Sequence, residues 1–348
     1  MRIVLFGLSM LAALTVLDVY LQASGIQTPM ETRIDPRLGP TYIPGMPLTR
    51  FNEGFYVGAT NRYGYMGPAV PPRSVQSDHR VLLLGDSFVL GHTVLPRHHF
   101  ARRLESRLEE TTGGEFHALN FGKADFNLWN MYQYHHDFAT TYDHDVSLFL
   151  VDEGDLAPSR QIATDLYPTV KIAGDSLVID RSFSKSGTYR FYKRVDPLLS
   201  HSAILRLAFN SYKMVKRGEL AGVVLDKLAP ARAPAAVTPE PARELPELSR
   251  IILSDLAEDR RNILVIHKKL TPELLGAIAA TDIPVIDLAA CLDSLLASGH
   301  DPYLWPVTGL RGHWNHATHE IVGRFLADEL RSLPQLQRLA GRDSAIAN

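Results

Sequence analysis

Short apolar runs of strand length alternate with amphipathic segments along most of the chain. One such run covers residues 81–84 and ends at Gly85. After it, Phe100, Leu104 and Leu108 recur every four residues, which is the spacing of one helix face. Further apolar runs cover residues 116–121, 146–151, 263–266 and 284–287, and further helical patterns cover residues 128–142, 272–280 and 315–330. Continuously apolar strands that alternate with helices predict an α/β fold whose parallel sheet is covered on both faces.

Two regions depart from this alternation. Residues 24–78 are rich in Pro and Gly without sustained periodicity, which is typical of an extended strap laid over a domain. Residues 161–249 hold a predicted β-hairpin, a basic helical stretch at 204–216 and a low-complexity Ala/Pro run at 229–246. We therefore predict a core formed by residues 79–160 and 250–333, a cap insertion at 161–249, and a tail at 334–348.

The first residues form a separate apolar segment. Ile3 to Leu17 are 15 consecutive uncharged residues, preceded by Arg2 and followed by Asp18. This length lies between that of a signal-peptide core and that of a full membrane span of about 20 residues. Residues 1–23 are therefore predicted to be a signal peptide or a single N-terminal transmembrane anchor, with a buried core helix as the alternative. In the first two cases the rest of the chain is exported, to a periplasmic or other extracytoplasmic space.

Composition argues against several classes of function. The chain has 36 Lys and Arg against 38 Asp and Glu, so it lacks the basic excess that nucleic-acid binding needs. Cys291 is the single cysteine, which excludes an intrachain disulfide and a thiolate metal cluster. His313, His316 and His319 recur at every third residue, but no Glu completes an H-E-x-x-H pattern. We predict neither a metal nor a cofactor.

A candidate nucleophile follows the first core strand. Ser87 lies in the motif GDSF (residues 85–88), where a buried strand ends and α/β folds place reactive groups. A serine hydroxyl becomes a good nucleophile when a positioned base removes its proton. His313, in the motif GHWN (residues 312–315) before the last predicted helix, is the candidate base. The alternatives are a serine that caps a turn and a histidine on a surface loop.

The two motifs resemble those of the SGNH (GDSL-like) hydrolase superfamily, including its exported carbohydrate O-acetyltransferase branches. The resemblance covers residues 61–330, interrupted by the cap, and implies a three-layer α/β/α sandwich with a flavodoxin-like parallel sheet. It implies that Ser87 is the nucleophile and His313 the base, with Asp86 as a supporting residue. It also implies an oxyanion hole formed by the Ser87 N–H, a backbone N–H at Asp125 and a side chain at position 154.

Several positions of the family pattern hold other residues. Asp125 stands where the family has a Gly, and Gly154 replaces the Asn whose side chain donates to the oxyanion. The two positions for the acid that orients the imidazole hold Leu310 and Arg311, so a cation stands near His313. We expect a substitute acid at the end of a core strand, with solvent-facing loop carboxylates as the alternative. The candidates are Asp152, Glu153 and Asp155.

The sequence thus predicts an exported or membrane-tethered SGNH-like protein that acts on ester bonds, either as a hydrolase (esterase) or as an O-acyltransferase. The expected substrate is a small acyl ester or an acetylated envelope carbohydrate. The alternative is a catalytically impaired module of the same fold, which binds carbohydrate or scaffolds an envelope assembly system.

Overall fold

The computed structural model describes residues 2–23, 31–51, 53–73, 78–158, 166–174, 176–216 and 244–333. These residues form two compact units. The smaller unit comprises the described residues within Met1–Ile34 and Lys185–Glu240, and the larger comprises those within Asp35–Ser184 and Pro241–Asn348. The boundaries differ from the predicted ones, because the hairpin expected in the cap belongs to the larger unit. Residues 229–243 of the predicted Ala/Pro run and the predicted tail at 334–348 lie outside the described residues.

A five-stranded parallel sheet forms the centre of the larger unit. Its strands are β5 (His79–Leu84), β6 (Phe116–Asn120), β7 (Val146–Val151), β10 (Asn262–Ile266) and β11 (Val285–Asp287). They lie in the order β6-β5-β7-β10-β11, so the first two strands along the chain are exchanged at one edge. Every described neighbouring pair is parallel. This is the flavodoxin-like order, which turns the carboxyl ends of all five strands toward one edge.

Helices cover both faces of the sheet, as the apolar strands require. Strands β5, β6, β7 and β10 are almost entirely buried, whereas the edge strand β11 buries only Ile286. Alternate side chains of the buried strands enter two separate apolar clusters. The helices of the larger unit are α2 (Ser87–Leu90), α3 (Phe100–Thr112), α4 (Leu128–Asp137), α5 (Glu153–Leu156), α8 (Glu247–Ala257), α9 (Pro272–Ala279), α10 (Leu288–Ala297) and α11 (His316–Ser332). The predicted three-layer α/β/α fold with a parallel sheet is confirmed.

The predicted strap contains short strands instead of a wholly irregular chain. These are β1 (Thr32–Asp35), β2 (Gly39–Tyr42), β3 (Pro47–Phe51) and β4 (Phe55–Ala59). Strands β3 and β4 pair in antiparallel register, with Phe51 opposite Phe55, so Glu53 and Gly54 lie at the tip of a hairpin. A second antiparallel pair, β8 (Thr169–Ala173) and β9 (Ser176–Asp180), is the hairpin predicted near residue 170.

Three helices form the described part of the smaller unit. They are α1 (Arg2–Ala23), α6 (Gly187–His201) and α7 (Ala203–Lys216), of which α7 matches the predicted basic helix. Residues 2–22 of α1 have a mean hydropathy of 2.1 in their most apolar window and are long enough to cross a membrane. Because signal peptides and membrane anchors both meet this test, the two predictions for the N-terminal segment stay open.

Candidate active site

The turn that carries Ser87 is built by the end of the central strand β5. Asp86 caps the short helix α2, because its side chain accepts a hydrogen bond from the Phe88 N–H at 2.8 Å. The first residue of that helix is Ser87, whose side chain is partly exposed at the carboxyl edge of the sheet. The buried Phe88, Val89 and Leu90 fix the helix on the core. Burial of the three residues that follow Ser87 thus fixes the position of the serine.

His313 comes to the same edge from the other end of the chain. It precedes α11, which is capped by Asn315, and the buried Trp314 fixes the segment in the core. The indole N–H of Trp305 donates to the His313 carbonyl oxygen at 3.0 Å. The imidazole Nε2 lies 2.8 Å from the Ser87 Oγ, and the His313 side chain is 25% exposed. The two motifs therefore meet at hydrogen-bond distance, in a position that solvent reaches.

The second imidazole nitrogen faces a residue that sequence reasoning missed. Glu53, at the tip of the β3–β4 hairpin, places its Oε1 3.2 Å from the His313 Nδ1. With Nδ1 bonded to a carboxylate, the imidazole carries its proton there and turns a free Nε2 lone pair toward Ser87. Ser87, His313 and Glu53 thus form a serine–histidine–acid triad drawn from two ends of the core and from the strap.

Contacts on both sides of Glu53 position the hairpin tip. The Thr308 hydroxyl donates to the Glu53 carbonyl oxygen at 2.6 Å. A Cβ on Gly54 would lie 2.4 Å from the Trp305 ring, and a Cβ on Gly312 would lie 2.1 Å from the Glu53 Oε1. Glycine at position 312 therefore leaves the space that the carboxylate occupies beside the imidazole. Nothing in the sequence around Glu53 shows this contact, because an acid in a Gly-containing hairpin turn is common at any protein surface.

The carboxylates expected to replace the family acid have other partners. Asp152 caps α5 and forms an ion pair with the Lys268 Nζ at 2.5 Å, and Asp155 completes the capping box through the Asp152 N–H. Glu153 belongs to the same first helical turn. Within the described residues, the acid that contacts His313 is Glu53. The expectation of a substitute acid at the end of β7 thus gives way to Glu53, because capping holds the Asp152 and Asp155 side chains at their own helix.

Arg311 also has a partner away from the imidazole. Its guanidinium pairs with Asp301, and its side chain is 62% exposed. The expected opposition between this cation and a protonated His313 is therefore reduced by the Asp301 carboxylate and by solvent screening.

Behind the nucleophile turn, several acidic groups lie close together. Burial raises the pKa of Asp86 to about 6, with the Phe88 N–H and Lys268 opposing the rise and Asp152 adding to it. Burial, followed by the charges of Asp86 and Asp152, also raises the pKa of Asp155 well above its ordinary value. Like charges in a desolvated space disfavour full ionisation, so Asp86 and Asp155 retain protons into the mildly acidic range.

Among the described residues, one group has the atoms and spacing to hold a metal ion. Asp152, Asp155 and His267 place one ligand atom each within 4.8 Å of one another. His267 is fully buried, burial lowers its pKa to about 3, and neither ring nitrogen has a hydrogen-bond partner. The Lys268 ammonium already neutralises Asp152, however, so a cation would have to displace it.

The histidines considered as a metal cluster have structural contacts. His319 is buried and accepts a hydrogen bond from the Phe100 N–H at 3.2 Å, which joins α11 to α3. The His316 ring packs against His98 and Trp305. His313 faces Ser87 and Glu53, so the three rings serve different contacts.

The two other expected oxyanion positions, Asp125 and Gly154, follow the carboxyl ends of β6 and β7. Asp125 follows β6 and has a left-handed backbone conformation, with a φ of 63°. Its loop contacts the nucleophile turn through a hydrogen bond that the Lys123 N–H donates to the Gly85 carbonyl oxygen at 3.1 Å. A Cβ on Gly122 would lie 2.3 Å from the Leu90 nitrogen, which shows how closely this loop packs on α2. Gly154 lies in the first turn of α5 and has no side chain to donate. The roles of Asp125 and Gly154 stay predictions.

Several solved structures resemble this chain. A lipase/acylhydrolase from Enterococcus faecalis is 13% identical, with 73% of this chain and 95% of that chain covered and a TM-score of 0.38. The lipase Lip_vut3 from a goat rumen metagenome is 13% identical, with coverages of 72% and 96% and a TM-score of 0.32. A two-domain esterase (CEX) active on acetylated mannans is 12% identical, with coverages of 78% and 50% and a TM-score of 0.34.

No family model matches the chain, and no curated protein matches it either. The assignment therefore relies on features of the chain itself. These features are the 2-1-3-4-5 order of the parallel sheet, the GDSF turn after the central strand and the contact between Ser87 and His313. In architecture and in the meeting of its two motifs, the chain resembles the SGNH (GDSL-like) hydrolase superfamily.

Proposed function

We propose that this protein cleaves ester bonds with Ser87 as nucleophile, His313 as general base and acid, and Glu53 as the orienting acid. The observation that carries the proposal is the continuous contact from Ser87 Oγ to His313 Nε2, at 2.8 Å, and from His313 Nδ1 to Glu53, at 3.2 Å. Both distances are within or near the range for proton transfer and for tautomer control in a resting site. The partial exposure of Ser87 and His313 leaves room for a substrate to approach.

The proposed reaction has two steps with one covalent intermediate. In the first, the Ser87 Oγ bonds to the acyl carbon while its proton passes to the His313 Nε2, and the leaving alkoxide then takes that proton as its bond to the acyl carbon breaks. In the second, a water or a sugar hydroxyl gives its proton to His313 as its oxygen bonds to the acyl carbon. His313 then returns that proton to the Ser87 Oγ as the bond between Oγ and the acyl carbon breaks. Water as acceptor makes the protein a hydrolase, and a hydroxyl acceptor makes it an O-acyltransferase.

For the oxyanion we propose the backbone N–H of Ser87 and the backbone N–H at Asp125. Without an Asn side chain at position 154, one donor of the family pattern is missing. Loss of one such donor costs about 2.7–4 kcal/mol of transition-state stabilisation in well-studied enzymes. We therefore expect a slow esterase on activated esters, with a small acyl ester or an acetylated envelope carbohydrate as its substrate.

The proposal is tested by labelling the full chain with a serine-directed fluorophosphonate. We expect labelling of the natural chain and none of Ser87→Ala, because Ser87 is the activated hydroxyl. Ser184→Ala is the matched control, since that serine lies in the same unit outside the site and should leave labelling unchanged. Turnover of p-nitrophenyl acetate is measured for the natural chain and for the two variants. Labelling of Ser87→Ala at the natural rate would exclude Ser87 as the nucleophile.

Gly154 favours a second candidate function. A cleft that keeps the triad but lacks a side-chain donor for the oxyanion could serve to bind an acetylated carbohydrate without cleaving it. Absence of labelling between pH 6 and 9, together with binding of an acetylated oligosaccharide by calorimetry, would support this candidate over the first.

A further inference from the structure

The apolar part of α1 ends where a second helix begins. Residues 3–17 are uncharged, every one of them is exposed, and at 1.5 Å per residue they span about 23 Å. The next residue, Asp18, accepts hydrogen bonds through its Oδ1 from the Ser202 hydroxyl at 2.8 Å and from the Ile204 N–H at 2.9 Å. Asp18 thus satisfies donors at the start of α7, in the manner of an N-cap supplied by another helix.

These contacts make the last turn of α1 part of the smaller unit. Helix α1 packs on α7, and Leu21 is the one buried residue among residues 2–22 of α1. Removal of the segment through residue 23, as in signal-peptide processing, would take away the cap of α7 and the Leu21 contact together. The geometry therefore favours a retained anchor over a cleaved leader.

Helices α6 and α7 expose apolar side chains beside this point. Leu205, Tyr212 and Val215 recur along α7 at spacings of seven and three, so they share one helix face, and they are 46%, 60% and 59% exposed. On α6, Phe191 and Leu198 are exposed at a spacing of seven. Packing of Phe209 against the Phe191 and Tyr192 rings joins the two helices. The pair is therefore amphipathic, with an apolar face that its own unit leaves uncovered among the described residues.

The same two helices carry a strong positive charge. From residue 187 to residue 216 the sequence holds six Lys and Arg and a single acidic residue, Asp196, although the whole chain has a net charge of −2. Two copies of such a surface would repel each other, so self-association through it is disfavoured. Apolar side chains flanked by Lys and Arg are typical of helices that lie in the interface of a membrane with anionic lipids.

We infer that α1 is retained as a membrane anchor and that the α6–α7 pair lies flat on the same membrane, with its apolar side chains among the lipid headgroups. The Asp18 cap sets the depth, because it places the first turn of α7 at the level where the apolar run of α1 ends. The exposed Arg190, Lys193 and Arg194 then face anionic headgroups, whereas Arg206 is buried and donates to the Leu199 carbonyl oxygen. This inference is independent of the proposed esterase activity, since it uses residues of the smaller unit alone.

The test uses the full chain in vesicles that contain phosphatidylcholine with or without phosphatidylglycerol. In a Cys291→Ala background, Leu205→Cys carries an environment-sensitive NBD label. Leu275→Cys is the matched control, because Leu275 is also a helical leucine with 46% exposure but belongs to the larger unit. We expect blue-shifted emission and quenching by spin-labelled lipid at position 205, and emission typical of water with quenching by aqueous iodide at position 275.

Charge reversal gives a second measurement. Each Lys or Arg near an anionic surface strengthens binding by about fivefold, which corresponds to about 1 kcal/mol. Lys193→Glu with Arg194→Glu should therefore lower lipid quenching at position 205 in phosphatidylglycerol vesicles and change it little in pure phosphatidylcholine. Water-like emission at position 205 in both vesicle types would overturn the inference. A mature protein whose mass lacks residues 1–23 would overturn it as well.

Discussion

The turn that holds Ser87 and the hairpin tip that holds Glu53 supply the same site by different physical means. The serine turn follows a strand that is buried along nearly its whole length, and three buried residues of α2 fix it on the core. The hairpin strands bury alternate side chains at most, and Phe51, next to the tip, is 73% exposed. The nucleophile is therefore positioned by apolar packing, and the acid by a few local polar and steric contacts.

This difference teaches where the proposed catalysis is most easily separated from stability. A change at the serine turn disturbs the core, since that turn and the core share buried residues. A change at the hairpin tip can remove the orienting acid and leave the parallel sheet intact. The following predictions are arranged to test this contrast.

The largest effect is expected from Glu53→Gln. The amide keeps the size of the side chain but loses the charge that favours the productive tautomer of His313 and stabilises its protonated form. By analogy with removal of the acid charge in other triads, we expect kcat for p-nitrophenyl acetate to fall by about 10³- to 10⁴-fold. Stopped-flow or steady-state turnover measures the change, and urea unfolding should show little loss of stability.

The matched control for Glu53→Gln is Arg311→Gln. Arg311 is paired with Asp301 and is largely exposed, so its replacement should change kcat by less than about twofold. If Arg311→Gln alters turnover and Glu53→Gln does not, the acid has been assigned to the wrong loop.

A smaller loss of kcat is expected from Gly312→Ala. The added Cβ would lie 2.1 Å from the Glu53 Oε1, so the carboxylate must move away from the imidazole. Misplacement of a catalytic group by about 1 Å costs on the order of 10²-fold in rate, and we expect kcat to fall by that amount. Gly276→Ala is the control, because nothing lies within 4 Å of its Cβ and helix α9 should gain stability without a change in kcat. Equal turnover of the two variants would refute the steric argument.

An increase in kcat is expected from a substitution at position 154, which follows the core strand β7. Gly154→Asn restores the side-chain amide of the family pattern, and since a donor is worth about 10²–10³ when ideally placed, we expect an increase of about tenfold in kcat. Gly154→Ala adds the Cβ without the amide and should leave kcat unchanged. Equal rates for the Asn and Ala variants would show that this position does not face the oxyanion.

The smallest effect concerns stability and pH. His99 is buried in the core, with its Nε2 bonded to the Val89 carbonyl oxygen at 2.9 Å and its Nδ1 accepting from the Ala101 N–H at 3.2 Å. Burial lowers the pKa of His99 to about 3. Between pH 6.5 and 3 the unfolded chain therefore binds a proton that the folded chain refuses, so stability falls as the pH is lowered.

His99→Asn should reduce this loss. Asn is a good N-cap for α3 but does not titrate, so the free energy of unfolding should fall between pH 7 and pH 5 by about 2 kcal/mol less than in the natural chain. Urea unfolding at the two pH values measures the difference. His300→Asn, in an exposed loop, is the control and should retain the natural pH dependence. Parallel pH profiles for His99→Asn and the natural chain would contradict the assignment.

Much of the fold follows from local patterns in the sequence. The strand that ends at Gly85 begins two residues before the predicted run, and Phe100, Leu104 and Leu108 lie on one helix, α3, because continuous apolar runs and helical spacing follow directly from burial. The predicted helix at 128–142 is shorter, since α4 ends at Asp137 and a 3₁₀ turn follows at Ala139–Thr141.

The residues of the candidate site also differ in how far the sequence predicts them. The positions of Ser87 and His313 were predictable because each lies next to a buried element whose carboxyl or amino end must reach one edge of the sheet. Glu53 was not, because it is 260 residues from His313 and lies in a segment without hydrophobic periodicity. Asp152 and Asp155 lie at a strand end, a place that suits catalysis and helix capping equally well, and in the structure their side chains form the capping box of α5.

The origin of Glu53 in a hairpin ahead of the sheet has a practical consequence for how the protein can be cut. A fragment that starts at residue 79 would retain all five strands of the sheet, both motifs and the facing serine and histidine. It would lack the carboxylate altogether, and its inactivity would be mistaken for proof that the core is a degenerate enzyme.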